Sequence, residues 1–402
     1  VHVYLDHAAT TPMVPRALQA LVEASSLTGN ASSLHSSGRR ARRLVEEARE
    51  RLAHSVGATP QQVVFTSGGT EADNLAIKGL YWAAREADPA RNRILLSSVE
   101  HHAVLDPALW LAEHDGAELV WLPVDPTGVL DLDATRRLIA DDPARVALVS
   151  VMWANNEVGA VQPVDQVVEL AHEYRLPVHC DAVQALGSLR VDFAAGALDA
   201  LTLTGHKLGG PVGAGALLMR REIACVPLLH GGGQEEGRRS GTLAVAGAHA
   251  LSVATEQAVA QQPTEAVRLA ALRDRLVRGV IDAVPDAVLH GPSVIAGVDR
   301  GDRLPGNAHF VFAGCEGDSL LYLLDARGIE CSTGSACQAG VPQPSHVLLA
   351  MGVSAEDARG ALRFSLGHTS TEADVDALVS VIGEVVERAR TAGLASAGLR
   401  SR

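Results

Sequence analysis

The sequence predicts an α/β protein, with a large domain built on a mostly parallel sheet and a smaller α+β domain after it. Short apolar runs alternate with helical stretches over the first part of the chain, and several runs are apolar throughout, as strands covered on both faces must be. From about residue 250 this alternation gives way to longer helices and fewer strands. No internal repeat, heptad run or low-complexity tract suggests another architecture.

In chain order, an N-terminal arm over residues 1–15 precedes a charged amphipathic helix at 39–54, a short strand at 62–65 and a helix at 71–87. Strand-like runs follow at 93–97, 118–122, 147–152, 177–180, 200–203 and 214–219, with helical segments between most of them. These elements form a domain over 16–255, and residues 256–402 form the second, against which the arm is expected to pack. The second domain reads as long helix through Gln261-Gln262-Pro263, strands at 287–290, 308–312, 328–331 and 362–365, and a helix from 372 to about 392. The final AGLASAGLRSR reads as a frayed end.

Composition narrows the function. Hydrophobic residues make up 47% of the 402 and charged residues 20%, which excludes an intrinsically disordered chain. Acidic residues outnumber basic ones, 47 to 34, and aromatics are only 3%, so neither a basic footprint nor stacking platforms for nucleic acid are present. No uncharged apolar stretch is long enough to span a membrane and no secretory signal is visible, so a cytoplasmic protein is expected. The five cysteines are too sparse for a disulfide scaffold and are expected to be free.

Of the 34 basic residues only Lys78 and Lys207 are lysines. Arginine substitutes for lysine on a solvated surface but cannot form a Schiff base, since its guanidinium stays protonated. Lys78 lies among alanines on a helix and reads as a solvated or snorkelling side chain. Lys207 directly follows the apolar run LDALTLTGH, at a strand end where α/β sheets collect ligands. A lysine buried there must be paired or neutralised, and neutral it is a nucleophilic amine.

Two other features join it. TSGGTEADN, residues 66–74, runs from a strand into a helix and offers small residues and free amides as an anion cradle, though a Gly-Gly turn is also simply a way to enter a helix. It lacks the Lys-Ser/Thr ending of a nucleotide-triphosphate loop. Asp181, at the end of PVHCD, either caps the next helix or pairs with a buried cation such as a pyridinium nitrogen. A phosphate cradle, a strand-end acid and a strand-end lysine together match the three handles of pyridoxal 5′-phosphate.

The chain resembles the cysteine desulfurases of the NifS/IscS type, pyridoxal-phosphate enzymes of the class V aminotransferase group. The resemblance runs from YLDHAATTP to RFSLGHTSTEADVD through GNASSLHSSGR, FTSGGTEADNLAIKG, VEHHAVLD, WANNEVG, HCDAVQALG, TGHKLGGPVGAGAL, HGGGQEEGRRSGT and STGSACQAG. It implies the type I fold of pyridoxal-phosphate transferases, with a seven-stranded, mostly parallel sheet in the large domain. It also implies that Lys207 holds the cofactor covalently, Asp181 pairs with the ring nitrogen, Gln184 contacts the phenolic oxygen and His101 stacks on the ring. Gly69, Thr70, Thr204 and His206 are implied for the phosphate, joined by Thr242 of a second subunit in a homodimer. Asn156, which adjoins the cofactor, and Arg363 are implied for the substrate carboxylate. The residues alone leave His101 and His102 as competitors, and leave Arg363 as a buried ion pair or a carboxylate grip.

Cys337 stands in a Ser-, Gly-, Ala- and Pro-rich stretch that predicts a loop, and the resemblance makes it the sulfur acceptor; Cys331, at a strand end, reads as a small buried hydrophobe. The spacing of Cys331, Cys337 and His346 matches no standard zinc site, and HGGGQ has no G-x-S-x-G elbow to make it an esterase motif. The implied activity converts L-cysteine to L-alanine and leaves the sulfur on Cys337 as a persulfide, for an iron-sulfur scaffold protein or a tRNA-thiolation enzyme. Another class V enzyme, such as a selenocysteine lyase or an aminotransferase, is the alternative.

Overall fold

The computed structural model describes residues 2–294, 301–334 and 344–400. Its strands are β1 (Val3–Tyr4), β2 (Val63–Thr66), β3 (Arg93–Ser97), β4 (Glu118–Leu122), β5 (Val146–Ser150), β6 (Val178–Asp181), β7 (Ala200–Thr204), β8 (Gly215–Met219), β9 (Val288–His290), β10 (Asn307–Val311), β11 (Ile329–Glu330) and β12 (Ala361–Ser365). The helices are α1 (Pro15–Ser25), α2 (Ser36–Ser55), α3 (Gly69–Ala87), α4 (His102–His114), α5 (Leu132–Asp141), α6 (Val164–His172), α7 (Val245–Ala283), α8 (Gly317–Asp325), α9 (His346–Ala350) and α10 (Glu372–Arg400).

Seven strands form one sheet in the order β2-β8-β7-β6-β5-β3-β4. Only β8 runs against its neighbours, so the other six all point the same way and end at one edge. The expected α/β class and mostly parallel seven-stranded sheet are both present. Strands β5 to β8 are buried at every position because helices cover both faces, which is why these runs read as continuously apolar. A core of mainly Ala, Val and Leu side chains lies on one face, among them Val45, Leu52, Val149 and Leu201, and a second around α3 and α4, with Leu75, Ile77 and Tyr81, lies on the other.

A separate apolar core gathers α7, α8, α10 and the β12-β10-β9 sheet, with Phe310, Phe312 and Phe364 at its centre. Val3 and Leu5 of the N-terminal segment belong to this core, and β1 pairs in parallel with β11. The 39-residue α7 joins the two regions without a break: Leu251 packs in the sheet core and Leu276 in the other. Pro263 stands inside it at an exposed position, where its missing N–H leaves no buried polar group unmet. The expected frayed end is corrected in part, since α10 continues to Arg400. The segment AGLASAGLR has three alanines and two leucines against two glycines and contains no proline, so nothing in it forces a helix already nucleated on the core to stop.

Candidate active site

Five parallel strands deliver their carboxyl ends to one cleft of about 1100 Å³, counting the part open to solvent. It is lined by Gly69 and Thr70 after β2, His101 after β3, Met152 and Asn156 after β5, Asp181 and Gln184 at the end of β6, and Thr204, His206 and Lys207 at the end of β7. Arg363 of β12 and Ser332 and Gly334 close it from the other side. Ten of the expected site residues therefore share one cavity. Thr242 is exposed and does not line it, and Cys337 lies outside the described residues. Gly334, three residues before Cys337 in the sequence, lines the cleft.

Lys207 sits in a short 3-10 turn, Gly205–Lys207, that follows β7. Its Nζ donates to the carbonyl of Ala9 at 2.8 Å and to that of Ala8. Burial first, then the Arg363 charge, lowers its pKa from 10.5 to about 8, so about a tenth of the amine is neutral at pH 7, far more than for a solvated lysine. Lys78, by contrast, places its ammonium 4.3 Å from the centroid of the Trp110 ring, a cation–π contact far from this chemistry.

Asp181 is buried, and its Oδ1 accepts the N–H of Val183 at 2.8 Å. Burial, then the nearby charge of Asp73, raises its carboxyl to about 7. His101 is the N-cap of α4: its Nδ1 accepts the Ala103 N–H at 3.0 Å, which leaves Nε2 as the nitrogen free to carry a proton. The ring is exposed toward the cleft but otherwise enclosed, and this desolvation with the Lys207 charge lowers its pKa to about 4. His102 turns to Asp106 instead, at 3.0 Å, and does not line the cleft.

The turn from β2 into α3 is built for an anion. Gly68 has φ +155°, a backbone state that side chains with a Cβ rarely adopt, and opens α3, whose first residues Gly69 and Thr70 line the cleft. Glu71 holds this turn from behind, accepting the Ser67 N–H at 2.8 Å and Arg239 Nε at 2.6 Å. His206 Nδ1 meets Thr10 Oγ1 at 3.0 Å, and burial lowers its pKa to about 4.

Arg363 is 4% exposed. Its Nη2 donates to Asp6 at 2.7 Å and its Nη1 to the carbonyl of Asn156 at 2.9 Å, while Nε has no partner among the described residues. The ion pair with Asp6 is therefore present, on a guanidinium that also lines the cleft. Cys331 packs against the core of the second region, and burial pushes its thiol up to about 12. Among the described residues no cluster of His, Cys, Asp and Glu has the geometry of a metal site.

Sequence reasoning missed the N-terminal turn as part of this wall. Tyr4 OH ties it together by donating to the carbonyls of Asp6 and Thr10, at 3.1 and 2.7 Å, and Gln184 Nε2 donates to the carbonyl of Ala8 at 2.9 Å. These contacts use backbone carbonyls, which no residue type advertises; only the motif YLDHAATTP marked the segment. Asp73 and Glu100, both buried near Asp181, were missed as well.

The class V aminotransferase family model matches residues 3–378. An IscS-like cysteine desulfurase of Mycobacterium tuberculosis is 57% identical over 397 residues, which cover 98% of this chain and 99% of that protein. The chain belongs to the cysteine desulfurases. A cysteine desulfurase IscS of Dictyoglomus turgidum is 41% identical over 97% of this chain and 95% of its own length. Among solved structures, a NifS-like protein superposes with a TM-score of 0.86 at 33% identity, covering 96% of this chain and 100% of that one. A structure described as SspA in complex with cysteine gives 0.74 at 32% identity, over 90% of this chain and 98% of its own.

Proposed function

We propose that this desulfurase uses pyridoxal 5′-phosphate to convert L-cysteine into L-alanine and passes the sulfur to its own Cys337. The observation that carries the reading is a buried amine at a strand end, Lys207, sharing one cleft with a buried acid that lacks a fixed cation, Asp181, and with the anion-ready turn of α3. These residues suit the cofactor group by group: Gly69, Thr70, Thr204 and His206 for its phosphate, Asp181 for the ring nitrogen, Gln184 for the phenolic oxygen and His101 for the ring face. Bound there, the cofactor supplies an electron sink for a carbanion at the substrate Cα.

The chain's own groups do the rest. Arg363, a guanidinium that lines the cleft, and Asn156 hold the substrate carboxylate. Lys207, neutral in about a tenth of molecules at pH 7, removes the Cα proton. The Cys337 thiolate attacks the substrate sulfur: the carbon–sulfur bond breaks, a sulfur–sulfur bond forms, and Cβ takes a proton and becomes the methyl group of alanine. His101 Nε2 is placed to exchange protons with the substrate during this step. The products are alanine and a Cys337 persulfide, so no external oxidant or reductant is consumed. The persulfide then goes to an iron-sulfur scaffold protein or a tRNA-thiolation enzyme. Thr242, exposed and outside its own cleft, is assigned to the phosphate of a second subunit in a homodimer. Among the described residues no helix is long and apolar enough to cross a membrane.

Mass spectrometry of the peptide containing Cys337, after incubation with L-cysteine, is expected to find one added sulfur atom. Cys337→Ser is expected to lose the adduct together with rapid alanine formation. A serine variant that still liberates sulfide from cysteine at full rate would overturn the persulfide route.

A further inference from the structure

Three carboxyls lie buried at the strand-end wall of the cleft. Asp73 in α3 and Glu100 before α4 are each 1% exposed, and Asp181 is 5% exposed. Oδ1 of Asp73 and Oε2 of Glu100 have no hydrogen-bond partner among the described residues. The two differ in position. Glu100 accepts the Met152 N–H at 2.6 Å and does not line the cleft, whereas Asp73 lines it together with Asp181.

Asp73 is set against the β6–β7 pair. Its Oδ1 lies 3.5 Å from Nε2 of His179, which is held between Thr202 Oγ1 at 3.1 Å and Ser150 Oγ at 2.9 Å. Thr202 is the register partner of Asp181 across the two strands. Burial lowers the pKa of His179 to about 4, so this imidazole is neutral and does not balance the acids. The other groups facing the pair are Glu100 and His101 from the turn before α4, Cys180 in β6 and Lys207 after β7, and of these only Lys207 offers positive charge. Two buried carboxyls that line one cleft, the charge of Asp73 reaching Asp181, resist ionising together, so the pair keeps one proton until a cation arrives.

We propose that Asp73 is a positioning residue that, with Asp181, forms a two-carboxyl seat for one positive charge, filled by a shared proton in the cofactor-free protein and by the protonated pyridine nitrogen once the cofactor is bound. The proposal rests on the pyridoxal-phosphate reading above and extends it to a residue that acts through Asp181. The proton balance closes in either case. The carboxyl O–H bond breaks, and its proton passes to an unprotonated ring nitrogen or, when the ring arrives already protonated, to water. The bonding electrons stay on the carboxylate, and the end state is one pyridinium facing two carboxylates.

The test compares two ligands on cofactor-free protein: 4′-deoxypyridoxine 5′-phosphate, which has no aldehyde to react with Lys207, and its counterpart with CH in place of the ring nitrogen. Asp73→Asn is expected to weaken the first about tenfold at pH 7.5, the equivalent of one pKa unit, and to leave the second within about twofold. Asp181→Asn is expected to weaken the first as well, and adding Asp73→Asn to it to cost little more. Equal losses for both ligands, or full additivity of the two substitutions, would mean that Asp73 only packs, and the proposal fails.

The unaltered protein gives a second measurement that does not depend on the variant folding. At pH 6.5, where the ring nitrogen of the free ligand already carries its proton, calorimetry in two buffers is expected to find about one more proton released with the nitrogen-bearing ligand than with its carbon counterpart. Equal release for the two overturns the proposal alone. Failure of the unaltered protein to bind either ligand overturns the cofactor reading and this proposal with it.

Discussion

Lys207 illustrates how much chemistry one side chain draws from its surroundings. Its pKa of about 8 arises from burial and the Arg363 charge, against the opposing pull of Asp6 and Asp181. Raising the pH deprotonates the amine, so borohydride trapping with pyridoxal phosphate is expected to rise through pH 8. A midpoint near that of an ordinary lysine would show the amine to be solvated. Because the folded amine loses its proton before the unfolded one, this group adds stability as pH climbs from about 8 toward 10.5. Lys207→Arg retains charge and length but cannot lose the proton. Its alanine formation is expected to fall about a thousandfold, within the range of lost general acid–base catalysis, with no trapped adduct. Retention of activity in that variant would reject the assigned role.

The phosphate turn shows the same dependence between elements. Gly215 opens β8 next to the β2–α3 turn, and a Cβ built on it would lie 2.6 Å from the backbone of Gly68. Gly215→Ala must therefore shift the turn. Its affinity for pyridoxal phosphate is expected to drop about tenfold or more, about 1.4 kcal/mol, while the pH midpoint of Lys207 trapping stays in place. Unchanged affinity would remove this turn from the phosphate site. The elements themselves were unequally legible. All seven strands of the large sheet could be read from their apolar runs, because six are buried at every position and the seventh, β4, keeps an apolar LVWL run although Glu118 and Trp121 are exposed. The helix α1 went unread, since PRALQALVEAS is short and follows TTP. So did β1, whose two residues are a strand only because β11 is there to pair with them.

Across the protein, eight histidines among the described residues have pKa values lowered by burial: His7, His101, His179, His206, His249, His290, His309 and His368. Four carboxyls, Asp73, Glu100, Glu157 and Asp181, are raised. The two sets oppose one another. As pH falls below 6.5 the unfolded chain takes up protons that the folded histidines refuse, which destabilises the fold, while folded carboxyls that stay protonated lose stability only as pH rises. The eight outweigh the four, so the cofactor-free protein is expected to melt at a lower temperature at pH 5 than at pH 6.5. A flat or inverted trend by calorimetry would contradict the burial of these rings.

The seven-stranded sheet, the strand-end lysine and acid and the phosphate turn could be read from residue order alone, because burial writes apolar runs into a strand and the groups that follow each run fall at the strand's end. Several other features required the chain to fold. The entry of His101 rather than His102 into the cleft depends on which ring caps α4, and the ion pair of Arg363 depends on Asp6 arriving from the N-terminal turn. The approach of Asp73 to His179 and its place in the cleft with Asp181 depend on α3 lying across β6 and β7, residues more than a hundred positions apart. Local patterns carry burial and direction, but proximity between distant segments exists only after the sheet is assembled, and it is that proximity which sets the charge on each acid, amine and imidazole.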